Sequence, residues 1–297
     1  MNLFDTYNLI GLGEFSHGIR ESWDFRFNLL KMALKMTDKH IFVFNEMSIW
    51  QGDNIMNHTI VNPENEVFSK YDKIKIEKPV RKSKSSSWGK LWQYVSHASE
   101  SKIFLKITKF IRKNSDRITI VGIDNDDLSR DYDMYKNIMK QLDNKNINFF
   151  WAHNSHIDNR KLSQTDYKWT KKSFPKLKYC CGYYLKKKLG DKYCIILSQS
   201  YRGANRFNSY CDGNACSIRT WRLKYFYKKF RYDQNKKYVN PKKQFQLLDK
   251  FDNKLMEFSN SYFKKNKYGY QELITSKTWD YILFWNTVSY LEPYCKY

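Results

Sequence analysis

Two short segments hold the side chains best suited to chemistry: Gly11-Leu-Gly-Glu-Phe-Ser-His-Gly-Ile-Arg-Glu21 and Trp151-Ala-His-Asn-Ser-His-Ile157. In the first, Glu14 stands three residues before His17; in the second, His153 stands three before His156. An imidazole titrates near neutrality, so it can take a proton from water, and a neighbouring carboxylate can orient its ring. Glu46 and Asp124 end two further apolar runs and add carboxylates of their own. Buried ionisable groups are costly unless paired, so their collection at the ends of apolar runs points to chemistry. The same set, Glu14, His17, Glu46, His153 and His156, would also suffice to hold a divalent metal such as zinc or manganese. The competing roles are structural: capping or salt-bridged carboxylates and a packed histidine.

The elements that must position these groups are four apolar runs, 8–12, 41–44, 118–123 and 147–152, each reading as a buried strand. Trp23, Phe27, Leu30 and Leu34 recur at helical spacing between the first two runs, with Ser16 as the expected cap. Strand, helix, strand implies a parallel pair with a right-handed crossover. In an open parallel sheet the crevice beyond the carboxyl ends is where ligands bind, and every candidate above falls there. Helices are expected over 88–111 and 131–142, a helix-then-strand return over 183–198, and a last apolar strand over 280–284. Residues 78–87, rich in Lys and Ser, read as a loop, and the polar, aromatic stretch 204–278 as poorly defined helices. The chain is therefore expected to form one α/β domain over 1–297. A helical and loop insertion occupies 51–117, and a basic aromatic-rich region 204–278.

The two histidine segments carry a resemblance. The first is similar to the Gly-Glu-x-x-His-Gly-x-Arg-Glu segment of the erythromycin esterase family, and the second to its Ala-His-Asn-x-His segment. Phe42-Val-Phe-Asn-Glu46 and Val121-Gly-Ile-Asp124 resemble its strands ending in a functional glutamate and in Gly-x-Asp. The stretch 182–198 resembles its helix-then-strand return. The resemblance implies an EreA/ChaN-like fold: a central, mostly parallel sheet flanked by helices. It implies His17 as the general base activating water, with Glu14 and Glu46 orienting base and water. It implies His153 and His156 at the substrate carbonyl, and hydrolysis without a metal, so that no cofactor is expected. Arg20 would bind an anionic group or pair with Glu46. Glu21, Asp124 and Asn154 complete the substrate side, and Asp124 equally suits a structural role orienting a histidine. Only 136 residues separate His17 from His153, fewer than the family usually has, so the helical insertion is reduced. The expected substrate is thus a small ester or an anionic molecule rather than a macrolide lactone.

Composition bounds the rest. With 41% hydrophobic residues, 18% aromatics, 11 Gly and 5 Pro the chain is globular. No run approaches 18 apolar residues, and the start, Met-Asn-Leu-Phe-Asp, is unlike a signal peptide, so an intracellular place is expected. The six cysteines lack Cys-x-x-Cys spacing, and Cys180 and Cys181 read as small apolar residues. There is no Gly-x-Ser-x-Gly elbow and no phosphate loop. The net charge of +23 is uneven: residues 1–80 hold nine Lys/Arg against eleven Asp/Glu, leaving the excess to the remainder. Residues 219–243 hold ten cations, Arg219, Arg222, Lys228, Lys229, Arg231, Lys236 and Lys237 among them, against Asp233, with seven aromatics interleaved. That composition suits single-stranded nucleic acid or another polyanion, including a virion-like environment. It equally suits a solvated face with aromatics turned inward.

Overall fold

The computed structural model describes residues 3–15, 18–49, 102–124, 130–159, 179–208, 225–231, 243–249, 279–289 and 291. Its strands are β1 (Leu9–Glu14), β2 (Ile41–Ser48), β3 (Ile118–Asp124), β4 (Ile147–His153), β5 (Tyr193–Asn208), β6 (Tyr225–Arg231), β7 (Phe245–Asp249) and β8 (Tyr281–Val288). Its described helices are α1 (Leu3–Thr6), α2 (Arg20–Met36), α3 (Lys102–Lys113), α4 (Arg130–Gln141), α5 (Asn154–Ile157) and α6 (Cys181–Leu189). One sheet runs β3-β2-β4-β1-β5-β8-β7, with β6 paired to β5 off this path. The pairs from β3 through to β8 are parallel; β7 joins β8, and β6 joins β5, antiparallel.

The four apolar runs form the parallel strands because a sheet covered on both faces buries every position. All six residues of β1 are buried. Successive residues serve opposite faces. Ile10, Phe149 and Trp151 pack with Trp23, Phe27 and Leu30 of α2 and with Phe104, Ile107 and Ile111 of α3. Leu9 and Phe150 pack on the other side with Met134 and Ile138 of α4 and with Cys181 and Leu185 of α6. Trp23 meets Trp151 edge to face at 6.2 Å, which fixes α2 across the middle of the sheet. Cys180 and Cys181 are both buried, as small apolar residues would be.

Two expectations change. Helix α2 starts at Arg20, with Ile19 at its cap position and no side-chain cap; the Arg20 N–H is held by the Ser289 carbonyl at 3.0 Å. A tertiary backbone partner thus replaces the cap expected from Ser16, which lies outside the described residues, as does 78–87. Within 204–278 the described elements are strands rather than helices. Tyr225–Arg231 pairs with the end of β5, and Phe245–Asp249 with β8. Aromatic residues favour such extended pairing, and neighbouring strands supply it.

Candidate active site at the carboxyl ends of the parallel strands

Register brings the candidates together. Glu14 ends β1 directly beside His153, which ends β4. The β2–β4 pairing stops at Asn45↔Trp151, and the β2–β3 register shifts between Asn45 and Ser48. Glu46 lies in that irregularity, where a bulge re-aims a side chain. Its Oε2 accepts the backbone N–H of His153 at 2.7 Å. Its Oε1 accepts from Arg130 Nη2 at 2.6 Å and lies 3.2 Å from His156 Nε2. Arg130 also donates through Nε to Asp124 at 2.7 Å. His156 Nδ1 lies 2.9 Å from Asp131, whose same oxygen accepts the Cys181 N–H at 2.7 Å. Asp124, Arg130, Glu46, His156 and Asp131 therefore form one chain of alternating charge across β2, β3, α4 and α5, its two aspartates buried and its other members partly so.

The electrostatics follow from this alternation. Burial alone would drive His156 toward neutrality, but the carboxylates of Asp131 and Glu46 outweigh it and push its pKa up to about 10. Burial likewise opposes the Arg130 charge, and Asp124 and Glu46 more than restore it. With carboxylates against both ring nitrogens, His156 is held as an imidazolium and serves the network rather than open space. Burial beside Asp131 pushes the Cys181 thiol well up, leaving it inert.

The other half of the floor is built around β1. His153 caps α5, its Nδ1 accepting the Ser155 N–H at 3.3 Å and facing the Ser155 hydroxyl at 2.8 Å. Its Nε2 lies 3.2 Å from the Phe15 carbonyl, which can only accept, so Nε2 carries the ring proton. The Phe15 N–H donates to Ser198 Oγ at 2.9 Å. Asn154 is buried, and its amide clamps the Ser198 backbone in both directions, at 2.8 and 3.1 Å. A Cβ on Gly13 would stand 2.2 Å from the Asn154 Oδ1, so this clamp needs glycine there. Arg26, buried on α2, donates to the carbonyls of Leu12 and Ala152 at 2.7 and 2.8 Å, with Nη1 3.5 Å from Glu14. Burial lowers its pKa.

Glu14, Glu46, Asp124, His153, Asn154 and His156 thus gather at one end of the sheet. Glu21 accepts from the Ser289 N–H and hydroxyl at 2.8 and 2.7 Å. Arg20 pairs with Asp24 at 3.2 Å, and among the described residues the arginine paired with Glu46 is Arg130. His17, Arg219, Arg222, Lys236 and Lys237 lie outside the described residues, and Lys228, Lys229 and Arg231 are placed by backbone only. Sequence reasoning passed over Arg26, Arg130, Asp131 and Ser198. Arg26 carried one signal, a charge set three residues after Trp23 and one before Phe27 on the apolar stripe of α2. Among the described residues no three His, Cys, Asp or Glu side chains are grouped to hold a metal ion. Among them too, no helix is long and apolar enough to cross a membrane.

Part of the sequence and the fold are similar to known proteins. Residues 80–220, which include Asp124, His153, Asn154 and His156, match the erythromycin esterase family model. The fold agrees with that of a solved erythromycin esterase, a histidine-to-asparagine mutant of EreC in its open conformation. Over residues 80–220, a little under half of its length, the chain is similar to the erythromycin esterases. The EreC match has a TM-score of 0.59 at 11% identity and covers 99% of this chain and 94% of that one. A Bacillus cereus protein is similar at TM-score 0.63 and 11% identity, over 97% of this chain and 90% of that one. A succinoglycan biosynthesis protein is similar at 0.60 and 12%, over 97% and 89%. No curated protein sequence matches. At these identities the solved structures establish the α/β fold of this chain.

Proposed function

We propose that this chain hydrolyses an ester by direct attack of water, with no covalent intermediate. The observation that carries the reading is the position of Glu46. One oxygen is fixed by Arg130 and His156, and the other by the backbone of His153, beside Glu14 in the next strand but one. Such a carboxylate cannot swing to another partner, so it presents a fixed negative charge at the crevice. His17 takes the proton from water, Glu14 and Glu46 orient that imidazole and the water, and the resulting hydroxide adds to the ester carbonyl. The tetrahedral oxyanion then collapses, the carbon–oxygen bond to the alcohol breaks, and the alcohol leaves with the proton returned from His17. The flanks of His17 favour this role: Phe15 is anchored on both backbone groups, and the Gly18 carbonyl accepts the Leu291 N–H at 3.0 Å. Gly18 has φ of 81°, a conformation other residues adopt only at a cost. His156 we assign to positioning, since Asp131 and Glu46 occupy its nitrogens.

The test is a panel of 4-nitrophenyl and aliphatic esters with the wild type and His17→Ala. Loss of a general base costs about 10²–10⁴-fold in rate, with melting temperature unchanged. A variant that keeps full rate on a verified substrate refutes the assignment. A second reading, a binding protein for nucleic acid or another polyanion, is favoured by the charge of residues 219–243. Salt-sensitive retention on heparin or single-stranded DNA by a protein that hydrolyses no ester would select it.

A further inference from the structure

Strand β5 carries the sheet past the end of β1. Its first part pairs with β1 up to Leu12↔Ile196, while its other edge pairs with β8 as far as Gly203↔Val288. From Arg202 onward it also pairs with β6, from Arg202↔Arg231 to Asn208↔Tyr225. A strand has two edges, and at Arg202 and Gly203 one is taken by β8. Strand β6 therefore lies along the edge that β1 uses lower down, directly beyond the carboxyl end of β1. Ser198, which binds Phe15 and Asn154, marks the level of the crevice floor. Arg202 is four positions further on, about 13 Å at about 3.3 Å per residue.

This overhanging ribbon is charged in an unusual way. Its seven cross-strand pairs hold five cations, Arg202, Arg206, Lys228, Lys229 and Arg231, and no acid. Directly opposed residues occupy one face, so strand alternation gives Arg202, Arg206, Lys229 and Arg231 positions on the same face. Phe207, Phe226 and Phe230 take positions on the other. Arg202 and Arg231 are opposed in register, and like charges so placed destabilise a strand pair unless an anion lies between them. They also form the end of the ribbon nearest Glu14 and His153.

We propose that the β5–β6 ribbon is an anion-binding subsite of the crevice, so that the ester cleaved there carries a carboxylate or phosphate group. The inference rests on the hydrolytic reading only for its second clause; the subsite itself is testable alone. Arginine suits the task, since its planar fork pairs with carboxylate and phosphate through two hydrogen bonds.

The probe is inorganic pyrophosphate, titrated into the full chain at low salt by calorimetry and by thermal melting. The variants are Arg202→Gln with Arg231→Gln, and the charge-keeping pair Arg202→Lys with Arg231→Lys. Pyrophosphate should bind the wild type and raise its Tm, as any ligand of the folded state does. It should bind the glutamine pair at least about 10-fold more weakly, and the lysine pair in between. Without ligand the glutamine pair should melt no lower than wild type, because the opposed charges are gone. If that pair does not fold, Arg231→Gln alone reads the same loss. In the second arm, kcat/KM for mono-(4-nitrophenyl) succinate over 4-nitrophenyl butyrate should favour the anionic ester in wild type and fall toward parity in the glutamine pair. Equal pyrophosphate binding by wild type and glutamine pair overturns the subsite. So does retention on heparin that depends on both arginines while pyrophosphate binding does not, which would make the ribbon a macromolecular surface. Pyrophosphate binding that follows the arginines in a protein cleaving neither ester upholds the subsite and counts against the hydrolytic reading instead.

Discussion

The charge on His156 can be measured directly. Burial works against it, Asp131 and Glu46 work for it, and together they take its pKa from 6.5 to about 10. The folded value is raised, so the stabilisation is complete below pH 6.5, where both states are protonated. It is lost as pH rises through 10. A gap of this size corresponds to about 5 kcal/mol as a ceiling, at about 1.4 kcal/mol per unit. Within the window the folded protein keeps a proton that the unfolded chain gives up. Stability should then fall by about 1.4 kcal/mol per pH unit from this group alone, or about 3 kcal/mol between pH 7 and 9. Urea denaturation of wild type and His156→Gln across pH 6–9.5 isolates the contribution, because other titrating groups are common to both. The substitution should cost most below pH 6.5 and progressively less toward pH 10. Imidazole ¹⁵N shifts of the wild type give the same answer without a variant. A midpoint near 6.5, or parallel stability curves for the two proteins, would refute the charge-chain argument.

Glu46→Gln should cost about 3 kcal/mol in denaturant unfolding, since it leaves Arg130 and His156 short of a buried counter-charge; a loss below 1 kcal/mol would show the network to be dispensable. Gly182→Ala places a Cβ 1.9 Å from the Ile157 carbonyl oxygen, a backbone atom that cannot turn aside, so melting should reveal at least about 2 kcal/mol of destabilisation. Ester hydrolysis should survive dialysis against EDTA; a loss restored by zinc or manganese would establish a metal-dependent reaction in its place.

The parallel strands were legible because a strand covered on both faces must be apolar throughout, and such runs stand out at 8–12, 41–44, 118–123 and 147–152. Their polar final residues, Glu14, Glu46, Asp124 and His153, marked the crevice for the same reason. What holds those residues was not legible. Arg130 and Asp131 open a helix, where an acid reads as a complement to the helix dipole rather than as the partner of a histidine 25 residues away. Ser198 sits inside an apolar strand, and its link to Asn154 exists only once β5 lies beside β1. Strand β6, a mixture of aromatics and lysines with no apolar alternation, became a strand because β5 continues far enough to pair with it.

Strand β5 also acts as a ruler. It supplies Ser198 to the floor and Arg202 to the ribbon in one unbroken strand, so the spacing between the two is counted in residues, not set by a flexible joint. Inserting one residue between them would exchange every face of the ribbon and slip the end of β5 against β8, while leaving the β1–β5 pairing below untouched. Inserting two would restore the faces and lift the ribbon by about 7 Å. A lineage, or an engineer, can in this way retune the reach of the overhang in discrete steps without disturbing a single residue of the charge chain beneath it.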